Sequence, residues 1–279
     1  MSHDSVGFIG GGNMTHAIAA GLLDNGYPAD LIAIADPVDE QRHKLAAALP
    51  GVMVSPVNAD VVARSDYLVL AVKPQILAAV CKDIAAAVRA SRPVVISIAA
   101  GPRIDDIDTW LGGGNAIVRV MPNQPALLGK GISGIFGNAT TDAAQLQTAS
   151  EILSAIGPVV AVDKESDIDA VTAVSGSGPA YFYLLIDMLT KTGVELGLAP
   201  ETAAQLASET ALGAATLAQQ SDTSMDELIA RVRSPGGTTA AALDALEAAS
   251  VRDIFASALL AARDRATALA DAAHESGKD

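Results

Sequence analysis

Cysteine is almost absent from the chain: Cys81 is the single thiol in 279 residues. One cysteine forms no internal disulfide and builds no cysteine-based metal site, so no metal is expected. Aromatic residues are scarce, at 3% of the chain, which removes the stacking platforms that hold single-stranded nucleic acid. Basic residues are outnumbered, 18 Lys and Arg against 32 Asp and Glu, for a formal net charge of −14. A surface of that sign releases no counterions from a phosphate backbone, and no nucleic-acid partner is expected. Long apolar runs are missing too. The most tempting, 170–186, contains Ser175-Gly176-Ser177-Gly178-Pro179 and falls short of the roughly 20 residues that cross a bilayer. No basic region precedes the first apolar segment, so no signal peptide is visible, and a cytoplasmic protein without a membrane partner is expected.

What is abundant is alanine, with 55 residues, in a chain whose apolar fraction is 50%. That composition favours close-packed helices, and the length suits one large or two ordinary domains. Up to about residue 160, short apolar runs (6–9, 31–35, 67–70, 94–98, 116–120, 131–136 and 158–162) alternate with helical stretches (14–25, 38–48, 74–90, 103–110 and 142–155). Such alternation predicts an α/β domain of the Rossmann type, with a mainly parallel sheet covered on both faces. Beyond it the pattern is helical throughout: 166–197, 199–221, 224–232, 238–249 and 251–274. Ser224 with Glu227 predicts a capping box, Gly197 a C-cap and Pro200 a helix start. The expected division is 1–163 for an NAD(P)-binding domain and 164–279 for an all-α domain.

Gly10-Gly11-Gly12-Asn13-Met14 joins the first predicted strand to the first helix, the context in which a glycine-rich turn marks a dinucleotide loop. Gly10 permits the tight turn, and Gly12 lets amides approach a pyrophosphate at the helix start. Thr15 occupies the third small position, which predicts slightly looser strand–helix packing. Asp36 closes the second strand, where a carboxylate favours the ribose hydroxyl of NAD over a 2′-phosphate. Arg42, His43 and Asn58 nearby leave the choice between NADP and NAD open.

Four further stretches stand in a set order: Ala71-Val72-Lys73-Pro74, Arg119-Val120-Met121-Pro122-Asn123, the segment from Asp169 through Ser175-Gly176-Ser177-Gly178-Pro179-Ala180-Tyr181, and Ser234-Pro235-Gly236-Gly237-Thr238-Thr239. Together with the glycine loop, they make the whole chain resemble the pyrroline-5-carboxylate reductase family. The resemblance implies a Rossmann domain followed by a helical dimerisation domain, with NADPH as the usual hydride donor. It also implies homodimers with interlocked C-terminal helices, assembling in some members into rings such as a decamer, and active sites at the dimer interface. By position, the family's cofactor contacts fall on Gly10, Gly11, Gly12, Asn13, Met14, Asp36, Asn58, Ala71, Val72, Lys73, Pro74, Ala100 and Gly101. Its substrate contacts for pyrroline-5-carboxylate and proline fall on Glu165, Ser234, Gly236, Gly237, Thr238 and Thr239, with Thr239 closest to the ring nitrogen. Two departures stand out: Gln124 replaces a usual Thr, and Ala230-Arg231 replaces a more polar pair.

The residues support that chemistry on their own terms. Two glycines before a helix let the 234–239 backbone fold around a small anion such as a carboxylate. A helix N-cap without a ligand is the competing reading of the same residues. Lys73, between a strand and Pro74, is expected at the ligand-binding edge of a parallel sheet. Threonine is a poor proton donor and no histidine lies in these motifs, so the substrate is expected to arrive as an iminium. A β-hydroxyacid dehydrogenase would carry lysine four residues beyond Gly178, where this chain has Phe182. A non-catalytic NAD(P)H sensor would have no use for the 234–239 loop.

Overall fold

The computed structural model describes residues 3–276. They form two compact units, one running to Gly176 and taking in the chain again from Ala262, the other Ser177–Ala261.

The first unit is built on an eight-stranded sheet. In chain order its elements are β1 (Val6–Ile9), α1 (Asn13–Asp24), β2 (Ile32–Ala35), α2 (Asp39–Ala48), β3 (Met53–Ser55), α3 (Asn58–Val62), β4 (Tyr67–Leu70) and α4 (Pro74–Ser91). There follow β5 (Val94–Ser97), α5 (Ile104–Leu111), β6 (Ile117–Met121), β7 (Ser133–Gly137), α6 (Ala143–Ser154), β8 (Val159–Ala161) and α7 (Asp167–Val171). The spatial order is β3-β2-β1-β4-β5-β6-β7-β8, parallel except for the β6–β7 pair. After β1 the chain fills one side of the sheet and returns to the other at β4. That reversal opens a crevice at the carboxyl ends of β1 and β4, where ligands bind in sheets of this kind.

The central strands are apolar on both faces because helices cover both. Alternate residues feed separate layers: Phe8, Ile34, Val69 and Ile96 pack on one side, Ile9, Leu68, Leu70 and Val95 on the other. The strands expected at 6–9 and 67–70 form as read, since each is a buried run with sharp ends. β3 and α3 escape the sequence reading because three and five residues carry no detectable period. The single helix expected over 166–197 is interrupted. α7 gives way to a π-helical turn over Thr172–Gly176, and α8 (Gly178–Glu195) starts with a proline in its first turn. Pro179 has no N–H, and the Thr172 and Ser175 hydroxyls instead donate to the carbonyls of Ile168 and Val171. A Cβ on Gly176 would stand 2.6 Å from Met121 Cε, so any larger residue there would have to displace the end of the Met121 side chain where the turn passes β6.

The second unit contains α8, α9 (Pro200–Gln220), α10 (Met225–Val232), α11 (Thr238–Ala248) and the first part of α12 (Val251–Ser276). The capping box at Ser224 and Glu227 forms. Gly197 takes φ +100 while Leu198 N–H donates to Gly193 O at 3.1 Å, closing α8 as a glycine C-cap. Gly193 lets α9 approach, since a Cβ there would lie 3.2 Å from Ala203 Cβ. Among the described residues of this unit, Ala203 and Ala207 are the only buried apolar side chains, while Phe182, Leu184, Leu212 and Ile254 are exposed. No helix among the described residues is long and apolar enough to cross a membrane.

Cys81 lies on α4 in the layer beneath Leu68 and Leu70, and burial pushes its thiol up to about 12. A thiol so far above its ordinary range stays protonated and unreactive at neutral pH. Thiol-specific alkylation at pH 8 is expected to leave the native chain unmodified and to label one site once it is denatured; labelling within seconds under native conditions would contradict this packing.

Candidate active site

Gly10 ends β1 with φ +99, and its N–H donates to Ala35 O at 2.8 Å. A Cβ on Gly10 would meet Ala71 O at 2.9 Å, and one on Gly11 would meet Leu45 Cδ1 at 2.5 Å. Those two glycines let the loop itself fold. Gly12 differs: nothing lies within 4 Å of where its Cβ would stand. It is the N-cap of α1 with no side-chain cap, so the amides of Asn13, Met14 and Thr15 open onto free space without intrahelical acceptors. Open space, free amides and the positive end of a helix dipole fit a pyrophosphate. Thr15 is fully buried, and its hydroxyl donates to Gly10 O at 2.6 Å. The looser packing expected at this position is therefore absent, because the loop's own carbonyl accommodates the hydroxyl.

Asp36 stands at the carboxyl end of β2 with both oxygens engaged. Oδ2 accepts from Gly11 N–H at 2.8 Å and Oδ1 from Val38 N–H at 2.9 Å. The carboxylate thus ties the glycine loop to the β2–α2 corner. Arg42 is held in the same corner by the carbonyls of Asp36 and Pro37 and by Asp39. The remaining residues expected at the cofactor follow other carboxyl ends of the sheet. Asn58 opens α3 after β3 and is half-buried. Ala71 follows β4 and donates to Ile9 O at 2.9 Å, leading into Val72, Lys73 and Pro74 at the start of α4. Lys73 is exposed and has no ion-pair partner among the described residues. Ala100 and Gly101 follow β5, and Gly101 is buried with φ +106. The sheet therefore gathers all the expected cofactor residues of this unit along one edge.

Glu165 lies in a network that the sequence reading overlooked. Its Oε1 accepts from Ile104 N–H at 2.8 Å and from Arg119 Nη1 at 3.2 Å. Arg119 sits on β6 with 3% of its surface exposed. Its Nη2 reaches the carbonyl of Gly101 at 3.2 Å and Asp169 Oδ1 at 3.3 Å, while Thr267 donates to Asp169 Oδ2 at 2.9 Å. One guanidinium thus ties the loop after β5 to α7 and to the segment after Ala262. Its Nε has no hydrogen-bond partner among the described residues. The available signal was a charged residue inside the apolar run Ile117-Val118-Arg119-Val120-Met121, a place that demands buried partners. Asn123 adds a second tie, donating to Ser175 O at 3.2 Å and accepting from Ile132 N–H at 3.0 Å.

The 234–239 loop lies in the second unit. Gly237 N–H donates to Ser234 O at 3.0 Å, closing a turn with Pro235 and Gly236 at its centre. Gly236 has φ +69, the left-handed geometry of a type II turn. Gly237 is the N-cap of α11 with no side-chain cap, leaving the first-turn amides of Thr238, Thr239 and Ala240 without acceptors in the helix. Ser234, Gly236 and Thr238 are exposed, and Thr239 is half-buried. Arg233 pairs with Asp244 at 2.6 Å, so its cation is directed to α11. Arg231 donates to Thr223 Oγ1 at 3.1 Å.

A doubly wound sheet with an open glycine cradle, joined to a helical unit, defines a nicotinamide-dinucleotide oxidoreductase with a helical second domain. Residues 5–101 match the family described as NADP oxidoreductase, coenzyme F420-dependent, and residues 165–269 match pyrroline-5-carboxylate reductase dimerisation. The chain is 45% identical over 271 residues to the pyrroline-5-carboxylate reductase of Pseudomonas aeruginosa, covering 97% of this chain and 98% of that one. The solved pyrroline-5-carboxylate reductase of Coxiella burnetii superposes with a TM-score of 0.92 at 38% identity, covering 96% of this chain and 99% of that one. That of Plasmodium falciparum, solved with NADP bound, gives 0.84 at 30% identity, covering 97% and 99%. The chain belongs to the pyrroline-5-carboxylate reductase family.

Two substitutions separate fold from site. Gly12→Val is expected to leave the melting temperature unchanged and raise the KM for the dinucleotide about tenfold or more, because the new side chain fills only the cradle. Equal losses in stability and binding would contradict that assignment. Arg119→Met strands two carboxylates and is expected to lower unfolding stability by about 3–5 kcal/mol in urea titrations. An unchanged midpoint would remove the network from the fold.

Proposed function

We propose that this chain reduces Δ1-pyrroline-5-carboxylate to L-proline, with NADPH as hydride donor, in the last step of proline biosynthesis. The observation that carries the reading is the uncapped start of α11 behind the Ser234–Gly237 turn, in a chain that also has the open glycine cradle. Family membership and the NADP-dependent class of its first 100 or so residues support it.

In this reading residues 1–163 hold the dinucleotide, and 164–279 supply the dimerisation and substrate-binding segment. The matched ranges 5–101 and 165–269 support that division. The dinucleotide's contacts are Gly10 to Met14, Asp36, Asn58, Ala71 to Pro74, Ala100 and Gly101. A reduced nicotinamide bound there supplies the hydride. The chain's own part is positioning and electrostatics. The amides after Gly237, with Ser234, Gly236 and Thr238, hold the substrate carboxylate, and Glu165 is a further substrate contact. Thr239 turns its hydroxyl to the ring nitrogen. The iminium enters already protonated, so Thr239 orients the nitrogen rather than delivering a proton. NADH is the alternative donor, favoured by the Asp36 carboxylate at the end of β2.

The exposed apolar side chains of α8, α9 and α12 support a homodimer with interlocked helices, and rings of dimers such as a decamer extend the same scheme. A cytoplasmic location fits a biosynthetic enzyme of this kind.

The assay is loss of reduced-nicotinamide absorbance with pyrroline-5-carboxylate, run with NADPH and with NADH. Turnover with the imine and none with 3-hydroxy acids is expected; no turnover with the imine would overturn the reading. Thr239→Ala is expected to lower kcat/KM about tenfold, the value of one hydrogen bond to a charged group. Undiminished turnover across pH would take Thr239 out of the mechanism. Light scattering at micromolar concentration is expected to find a dimer or a multiple of it.

A further inference from the structure

The first unit has a second concavity on the edge of the sheet opposite the glycine loop. It is a cavity of about 360 Å³ beside Pro93 and Ala116, the residues that lead into β5 and β6. Arg89, in the last turn of α4, and Arg92, just beyond it, both line this space with Thr140 and Gln145, over a floor that includes Pro93 and Leu111. Neither arginine has a hydrogen-bond or ion-pair partner among the described residues. Six other arginines (Arg42, Arg103, Arg119, Arg233, Arg252 and Arg263) are paired with carboxylates, whereas Arg64 and Arg265 also have no such partner among the described residues; what sets Arg89 and Arg92 apart is that both line one hollow.

The cavity wall keeps nearby carboxylates away from these cations. Gly112, Gly113 and Gly114 take φ of +94, +86 and +78, curling the loop after α5 around the Asp108 side chain. Asp108 accepts from Gly114 N–H at 3.1 Å, Asn115 N–H at 2.9 Å and Asn115 Nδ2 at 2.7 Å. Asp142 is likewise occupied, accepting from Gln145 N–H at 2.8 Å as the cap of α6. The Arg89 guanidinium lies in the space left by the missing side chain of Gly112, with Nη2 2.8 Å from where a Cβ would stand. Two guanidinium groups without partners among the described residues line one hollow with Thr140 and with Gln145, whose Oε1 already accepts from Asp142 N–H at 3.0 Å, and Asp108 and Asp142 are satisfied by other donors.

We infer that this hollow binds a small phosphate-bearing molecule, separate from the dinucleotide, at the amino ends of β5 and β6. Guanidinium groups match phosphate oxygens in paired hydrogen bonds, and the apolar floor accommodates a short organic remainder. Both arginines are exposed, so replacing them removes donors without emptying the core.

The test is calorimetric titration of the full chain with inorganic pyrophosphate at low salt, with the glycine cradle kept filled by saturating NADP+. Saturable binding at one site per chain is expected, and the same isotherm from the Gly12→Val chain, whose cradle is blocked without nucleotide. The double variant Arg89→Gln with Arg92→Gln is expected to weaken that binding about tenfold or more and to leave basal imine reduction unchanged. No saturable heat, or equal affinity in the double variant, would overturn the site. Citrate binding as tightly as pyrophosphate would overturn the phosphate assignment.

Discussion

An acidic chain can hold anions only where main-chain amides and a few cations are left free of its own carboxylates. With 32 acidic residues against 18 basic ones, long-range attraction cannot bring a dinucleotide or a carboxylate to this surface. The structure meets that constraint at two helix starts. α1 and α11 each begin at a glycine with no side-chain cap, whereas α6 and α10 are closed by Asp142 and Ser224. α2, α4 and α9 also lack a side-chain cap, but at α1 and α11 the capping residue is a glycine, so no side chain covers the first-turn amides. Lys73, without an ion-pair partner among the described residues, adds a cation at the same edge of the sheet as the first cradle, where Arg42 is already held by Asp39 and two carbonyls.

A second consequence of the charge balance is internal. Arg119 is one cation among several acids, and its burial ties Glu165 and Asp169 to the loop after β5. Such an arrangement stabilises little relative to an apolar core, but it is costly to disrupt, so it fixes geometry more than it adds stability. Here the fixed element is the Gly101 carbonyl, next to Ala100 on the ligand-binding edge of the sheet. The helical unit obeys a different rule. With little apolar surface buried within Ser177–Ala261, its stability has to come from surfaces that its own chain does not cover, and the dimerisation match over 165–269 assigns that role to a second subunit.

The legible parts of the fold were those with a local signature. β1 and β4 are fully buried runs with abrupt ends, and the α10 cap is written in Ser224 and Glu227. The glycine loop was legible because strand, turn and helix follow one another in sequence. What depended on distant contacts was not. The π-helical turn lies where Gly176 passes close to Met121, a contact between residues far apart in sequence, and Thr15 needed the Gly10 carbonyl to show how a hydroxyl fits a tight crossing. Arg119 lay inside a recognised motif without a role, since its partners are 46 and 50 residues away in sequence. Asp36 left the choice between NAD and NADP open in the sequence because Arg42, His43 and Asn58 stand close to it; its bonds to the backbone at Gly11 and Val38 depend on the fold and were not read from the sequence.

The central claim is that the glycine cradle and the 234–239 loop serve one reaction, direct transfer of a hydride to the imine carbon of a cyclic amino acid precursor. Isotope tracing tests it most directly. With a nicotinamide donor carrying deuterium at both C4 positions, the account predicts proline one mass unit heavier, labelled on the ring methylene next to nitrogen. Unlabelled proline, or label lost to water, would contradict it.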